Sequence, residues 1–308
     1  MIEAHSLTKR YGAKTAVDTI DFTVRPGLVT GFLGPNGAGK STTMRMIVGL
    51  DRPTSGAVTV NGRPYAQHRA PLRQVGALLD AKGVHPGRSA RNHLLAVGAT
   101  HRIGAKRVDE VIGITGLESV ARKRVGGFSL GMGQRLGLAA ALLGDPATLI
   151  LDEPVNGLDP EGVAWVRQFL RQLAAEGRTV FLSSHLMTEM AQTADHIIVL
   201  GRGRVVADAP VAEILSHAAG GSVQVRSPEA PRLAAVLEGH GATASLVAPD
   251  LLSVTNLAAP RIAEIAARAG AVIYELTPLA GSLEDAYLEL TRDQVEYQTA
   301  QPHAEDNR

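Results

Sequence analysis

The chain has no cysteine, which excludes a disulfide scaffold, a thiolate zinc site and a cysteine nucleophile. Aromatic residues are 4% of the 308, with a single tryptophan, so the interleaved aromatics that stack bases in nucleic-acid binders are missing. Net charge is small, a formal +1, and gives no overall pull toward nucleic acid or acidic lipid. Lysine is scarce, 6 against 25 arginines, a bias read as GC-rich coding rather than function. Long hydrophobic runs are also missing. The longest, Leu136 to Leu143, contains Gly137 and stops at Gly144-Asp145, whereas a membrane span needs about 20 predominantly apolar residues. The opening Met1-Ile2-Glu3-Ala4-His5 lacks the basic then apolar pattern of a secretory leader. The expectation is a cytoplasmic chain with no nucleic-acid partner.

What is present is an ordinary globular balance, 45% hydrophobic and 20% charged, enough for a real core. The length suits roughly two domains of about 150 residues. Charge divides the chain: from Ser222 onward 6 Arg face 12 Asp and Glu, about −6, while the preceding 221 residues carry 25 basic against 18 acidic, +7. The join is the small-residue stretch His217-Ala-Ala-Gly-Gly221, of the kind that links domains.

Ahead of the join, short apolar strands alternate with helical patterns, which predicts an α/β layer fold with parallel strands. Residues 28–33 read as a strand running into a Gly-rich loop, and 148–151 as a strand buried on both faces. Asp159-Pro160 reads as N-cap and first residue of a helix. That helix carries Val163, Val166, Leu170 and Leu173 on one face and stops near Gly177, before a strand over 178–183. Between about 80 and 144 the strand signal vanishes, which predicts a helical insert. Beyond the join the order is strand (223–226), helix (230–238), strand (242–247), strand (251–254), helix (260–267), strand (272–276). This βαββαβ order predicts a small α+β ferredoxin-like sandwich. A further helix starts at Ser282 with Asp285 three residues on, and Leu283, Ala286, Tyr287 and Leu290 form its stripe. The expected domains are 1–216, with the insert at about 80–144, then 222–291, then a polar, loose tail over 292–308.

Gly34-Pro35-Asn36-Gly37-Ala38-Gly39-Lys40-Ser41 matches G-x-x-x-x-G-K-[ST], between the first of these strands and a helix opened by Met44, Ile47 and Val48. Glycines let backbone N–H groups turn inward around phosphate oxygens, and the helix N-terminus adds a positive end. Lys40 would meet the β- and γ-phosphates, Ser41 would offer a hydroxyl to Mg²⁺, and Thr42 joins the nucleotide-binding set. Leu149-Ile150-Leu151-Asp152-Glu153 is an apolar strand ending in two carboxylates. Asp152 could hold Mg²⁺ through water, and Glu153 is placed to orient or deprotonate an attacking water.

Further along stand Phe128-Ser129-Leu130-Gly131-Met132-Gly133-Gln134-Arg135, Asn156-Gly157-Leu158-Asp159, Ser183-Ser184-His185 and Tyr11-Gly12. With the two motifs above, they make the chain resemble the nucleotide-binding subunit of an ABC transporter over about residues 2–216. The resemblance implies a P-loop NTPase of the ABC ATPase type, with ATP and Mg²⁺ as its cofactors. It implies that Tyr11 stacks on adenine, that Asp159 belongs to the D-loop, and that His185 is the switch histidine, catalytic together with Glu153 and Lys40. It also implies a head-to-tail dimer, most simply of two identical chains, in which Ser129, Leu130, Gly131 and Met132 of one subunit cap the γ-phosphate held by the other. The implied partner is an integral membrane permease, with this subunit peripheral on the cytoplasmic face.

One position departs from the family pattern. Where many members place Gln, this chain has Asp80, which could ligate Mg²⁺ through oxygen but cannot donate as an amide does; the lesser alternative is a position outside the site. Asp80, the variant signature and the acidic C-terminal domain ending Ser282-Leu-Glu-Asp-Ala-Tyr-Leu-Glu-Leu-Thr291 resemble drug-export ATPases of the bacitracin- and daunorubicin-resistance type. Two other classes share the head domain: ATPases acting on ribosomes or DNA, and non-catalytic nucleotide sensors. Single copies of each motif and the lack of long heptads speak against the first, and intact Glu153 and His185 against the second.

Overall fold

The computed structural model describes residues 1–80, 83–218, 222–278 and 282–291, and it opens on an antiparallel sheet that no clean alternation announces. Strand β1 (Ile2–Tyr11) pairs with β2 (Lys14–Val24) and, beyond β3 (Val29–Leu33) and α1 (Lys40–Ile47) in the chain, with β4 (Ser55–Val60). Its inward residues are Ile2 and Ala4, then Leu7. The phase of the period-2 pattern switches because the register shifts between Ala4 and Leu7, where Ser6 has φ 45°. A bulge of this kind hides a strand from periodicity.

The second sheet is the α/β layer. Its strands are β3, β5 (Val75–Leu78), β6 (Thr148–Asp152), β7 (Thr179–Ser183), β8 (His196–Gly201) and β9 (Arg204–Pro210), in the order β5-β6-β7-β3-β8-β9. The pairs β5/β6, β6/β7, β7/β3 and β3/β8 are all parallel. Residues of β3 and β7 are buried throughout, as expected of strands covered on both faces. Helices α2 (Ala90–Ala99), α3 (Ala105–Ile114) and α4 (Leu130–Leu142) form the insert between β5 and β6. After β6 comes α5 (Pro160–Ala175), begun by Asp159, whose Oδ1 accepts from the Gly162 N–H at 3.0 Å. After β7 comes α6 (Met187–Thr193).

The two sheets share a core in which Phe22, Phe32 and Phe181 meet, with ring centroids 4.9 to 6.0 Å apart. Met44, Met46 and Ile47 of α1 are buried in the same cluster, so the apolar face of this helix anchors the loop ahead of it.

A second compact unit runs from Pro210 to Glu289. The division falls just before α7 (Val211–Ala218), ahead of the small-residue stretch, of which 219–221 lie outside the described residues. There β10 (Val223–Arg226), α8 (Ala230–Glu238), β11 (Thr243–Ala248), β12 (Leu251–Thr255), α9 (Ala259–Arg268) and β13 (Glu275–Pro278) build an antiparallel sheet in the order β11-β12-β10-β13. Val223, Val225, Leu252 and Val254 face Leu233, Leu237, Ile262 and Ile265 of the helices in one core. The last strand starts later than the 272–276 expected from its apolar residues. Its partner β10 has four residues, and the register Arg226↔Glu275 to Val223↔Pro278 leaves Val272 and Tyr274 beyond the ladder, 54% and 68% exposed. The closing helix α10 (Leu283–Thr291) is capped by Ser282, whose Oγ accepts the Asp285 N–H at 2.9 Å. The expected loose tail, 292–308, and the side chain of Leu290 lie outside the described residues.

Phe181→Ala should lower the unfolding free energy by about 3–5 kcal/mol, the range for emptying a large aromatic site. Urea unfolding followed by circular dichroism tests it, and a midpoint equal to that of the unaltered chain would contradict this packing.

Candidate active site

The glycine-rich turn links β3 to α1 and closes on itself. Gly39, the N-cap of α1, has φ 104°, and a Cβ there would lie 2.5 Å from the Ala16 carbonyl oxygen, so only glycine fits. No side chain caps α1, so its first-turn N–H groups point at the mouth of the turn, an arrangement suited to an anion. Thr43 steadies the turn by donating its hydroxyl to the Gly39 carbonyl at 2.9 Å. Lys40 folds back into the turn, donating to the carbonyls of Gly34 at 2.6 Å and Pro35 at 3.3 Å. Burial lowers the pKa of its ammonium, while the carboxylates of Glu153 and Asp152 act in the opposite sense. Phosphate oxygens in the turn would reinforce the carboxylates and favour the charged form.

The parallel register of β6 and β7 sets Asp152 beside Ser183. Ser41 donates its hydroxyl to Asp152 Oδ2 at 2.8 Å, and Ser183 donates its own to Oδ1. The same Ser183 Oγ accepts the Glu153 N–H at 3.1 Å. Glu153 has φ 50°, an uncommon conformation for a residue with a side chain, costing on the order of 1–3 kcal/mol. Its carboxylate oxygen Oε2 lies 2.7 Å from His185 Nδ1, and the imidazole is 56% exposed. Lys40, Ser41, Asp152, Glu153 and His185 therefore gather at the carboxyl ends of three neighbouring strands, the usual place for a ligand in an open parallel sheet. Ser41 and Asp152 together offer a hydroxyl and a carboxylate, hard oxygen donors that suit Mg²⁺. Among the described residues no group of three His, Cys, Asp or Glu side chains converges on a metal.

The other expected residues lie around this centre. Tyr11 ends β1, 50% exposed, with its hydroxyl donating to Asp51 at 3.1 Å and the Lys9 ammonium 4.9 Å from the ring centroid. Partial desolvation and the bond to Asp51 raise its pKa, and Thr42 and Arg45 pull the other way. Asp80 follows β5, whose Leu78 is level with Leu151 of β6, so it emerges at the same sheet end as Asp152 and is exposed. The residues read as the signature begin α4. Ser129 caps α4, its Oγ accepting the Met132 N–H at 3.2 Å, and Leu130 is 49% exposed. Gly131 packs closely on the turn after β6: a Cβ there would come 3.1 Å from the Gly157 carbonyl oxygen. Asp159, read as a D-loop residue, spends its carboxylate on the α5 cap.

Two participants stand inside the quoted motifs without a role of their own. Ser183 is legible in hindsight, since it ends the strand that pairs with β6. Gln134 of α4 is the other; its Nε2 donates to the Glu153 carbonyl at 3.3 Å. Ser183→Ala would strand the Glu153 N–H and remove a bond to Asp152. It should cost about 1–3 kcal/mol of unfolding free energy, the range for a buried polar group left unmatched, measurable by urea titration, and an unchanged midpoint would contradict the bridge.

The family model described as "ABC transporter" matches residues 17–156. An AAA domain model, putative AbiEii toxin, matches 124–191, and a domain of unknown function matches 221–284. The bacitracin transport ATP-binding protein BcrA of Bacillus licheniformis is 42% identical over 213 residues, 68% of this chain and 70% of its own. The uncharacterized ABC transporter ATP-binding protein YhcH of Bacillus subtilis is 36% identical over 312 residues, 96% of this chain and 97% of its own. The Nod factor export ATP-binding protein I of Burkholderia lata is 33% identical over 296 residues, 94% and 96%. Among solved structures, the dimeric bacterial ABC transporter cassette MJ0796 has a TM-score of 0.63 at 25% identity, covering 68% of this chain and 99% of that one. A second structure of MJ0796, in a post-hydrolysis state bound to ADP and Pi, gives the same values. A chain that aligns with such a relative along almost its whole length, and shares its cassette with these structures, belongs to the ABC transporter family as an ATP-binding, ATP-hydrolysing subunit.

Proposed function

We propose that this chain powers an exporter, working as a dimer on a separate membrane-spanning permease from the cytoplasmic side. The observation that carries the reading is the Glu153–His185 contact of 2.7 Å, set beside Lys40, Ser41 and Asp152 at one sheet end. No helix among the described residues is long and apolar enough to cross a membrane, which agrees with a separate permease. Export is favoured by the names of the bacitracin and Nod factor relatives.

In this reading the glycine turn and the first N–H groups of α1 cradle the phosphates, and Lys40 exchanges its two carbonyl partners for β- and γ-phosphate oxygens. Ser41 and Asp152 would hold Mg²⁺, which supplies charge neutralisation at the phosphates when bound. Glu153 accepts a proton from water as the water oxygen bonds to the γ-phosphorus and the bond to the β–γ bridging oxygen breaks. His185 leaves Glu153 to donate to a γ-phosphate oxygen. The second nucleotide-facing surface comes from the partner, whose Ser129 and α4 N-terminus aim donors where phosphoryl charge develops. Tyr11 offers its exposed ring to adenine. The 222–291 segment acts as an accessory domain of the dimer, in a ferredoxin-like arrangement.

Glu153→Gln should bind ATP and accumulate as a dimer in gel filtration while hydrolysis falls by at least about a hundredfold, the scale of general-base loss. Lys40→Ala should lose ATP binding. A Glu153→Gln chain that stays monomeric with ATP would overturn the dimer, and one that hydrolyses normally would overturn the role of Glu153. Asp80→Ala should slow hydrolysis if that carboxylate serves the metal, and rates equal to the unaltered chain would leave it no part in the chemistry.

A further inference from the structure

Gln134 lies on α4, one turn beyond the capping Ser129, and is 7% exposed. Its amide is half satisfied. Nε2 donates to the Glu153 carbonyl at 3.3 Å, and Oε1 is buried with no hydrogen-bond partner among the described residues. Turning the amide over would set Oε1 against the carbonyl oxygen, acceptor against acceptor, so the donor end must face Glu153. Burying an amide with half its capacity unmet is costly. An apolar side chain of the same length would fill this space without that cost, so packing alone does not call for glutamine.

The bond falls on a residue whose main chain is held from every side. Glu153 is in the left-handed region. Its N–H donates to Ser183 Oγ at 3.1 Å, and its carbonyl accepts from the Asn156 N–H at 3.2 Å as well as from Gln134. Asn156 is fixed by the local turn and Ser183 by the sheet. Gln134 is the partner that comes from the helical insert. A left-handed conformation persists where its surroundings over-determine it, and rotation of this peptide would swing the carboxylate away from His185.

We propose that Gln134 is a positioning residue for the hydrolytic carboxylate: it holds the Glu153 main chain in its strained conformation and ties the aim of that carboxylate to the position of α4. The inference rests on the reading of Glu153 as the base. Because the N-terminal end of α4, one turn before Gln134, carries the residues that meet the partner's nucleotide in this reading, a shift of that helix on dimer engagement reaches Glu153 through one side chain. Each subunit's base then responds to the partner's site.

The test uses the full chain with two substitutions. Gln134→Met keeps length and removes both polar atoms, so its thermal midpoint should equal or exceed that of the unaltered chain. Its KM for ATP should stay within about twofold while kcat drops about tenfold, the pattern of an interaction used in the transition state. Gln134→Glu sets a carboxylate against the carbonyl near neutral pH. Its kcat, taken as a ratio to the unaltered chain, should climb as pH falls from about 8 to about 6, because burial raises the new carboxyl's pKa and its protonated form regains a donor. A Gln134→Met chain with normal kcat, one whose loss lies wholly in KM or in the thermal midpoint, or a Gln134→Glu ratio flat with pH would each overturn the proposal. Glu153→Gln separates the two levels. If it is inactive while Gln134→Met is normal, the positioning role alone fails; if it is active, the base assignment fails and takes the proposal with it.

Discussion

Asp152 is the point on which the site turns. One carboxylate oxygen takes the hydroxyl of Ser41 from the start of α1, and the other takes that of Ser183 from the end of β7. These two bonds join three segments that are far apart in sequence, and they do so at the carboxyl edge of the parallel sheet. The arrangement depends on register. Asp152 and Ser183 are level because β6 and β7 pair in parallel from Thr148↔Thr179 onward. A slip of one residue between the two strands would put these side chains on opposite faces of the sheet.

The geometry of Glu153 follows from the same edge. Its N–H rests on Ser183, its carbonyl on Gln134 and Asn156, and its carboxylate on His185. An uncommon main-chain conformation is thereby clamped by a sheet strand, a turn and a helix of the insert. Reacting groups are held most firmly when the backbone that carries them has few alternatives. The glycine turn shows the converse use of the backbone: Gly39 is free of a Cβ so that the chain can pass Ala16 closely, and the buried face of α1 keeps the turn in place.

The two compact units reach stability by different means. The first buries an aromatic trio between an antiparallel and a parallel sheet. The second packs two helices against four antiparallel strands with aliphatic side chains alone, and its edge strand β11 leaves Leu246 and Val247 more than half exposed. The acidic balance of the C-terminal segment favours solubility of that exposed surface.

Local patterns were enough to read much of this protein. The glycine turn, the doubly buried strand ending in Asp152-Glu153, the Asp159-Pro160 helix start and the Ser282 cap are all written in a few consecutive residues, because caps, turns and buried strands are short-range devices. The antiparallel opening sheet was not legible, since a bulge at Ser6 shifts the phase of the alternation, and the last strand of the second unit was misplaced because its length is set by a four-residue partner. Consecutive residues dictate which chemical groups are available and where the chain must turn. Folding is what makes Ser183 bridge Asp152 to Glu153, brings His185 to the same glutamate, and lets Gln134 reach it from another element. Hydrogen bonds across 19 to 32 residues depend on strand register and helix docking, which no local stretch of sequence specifies.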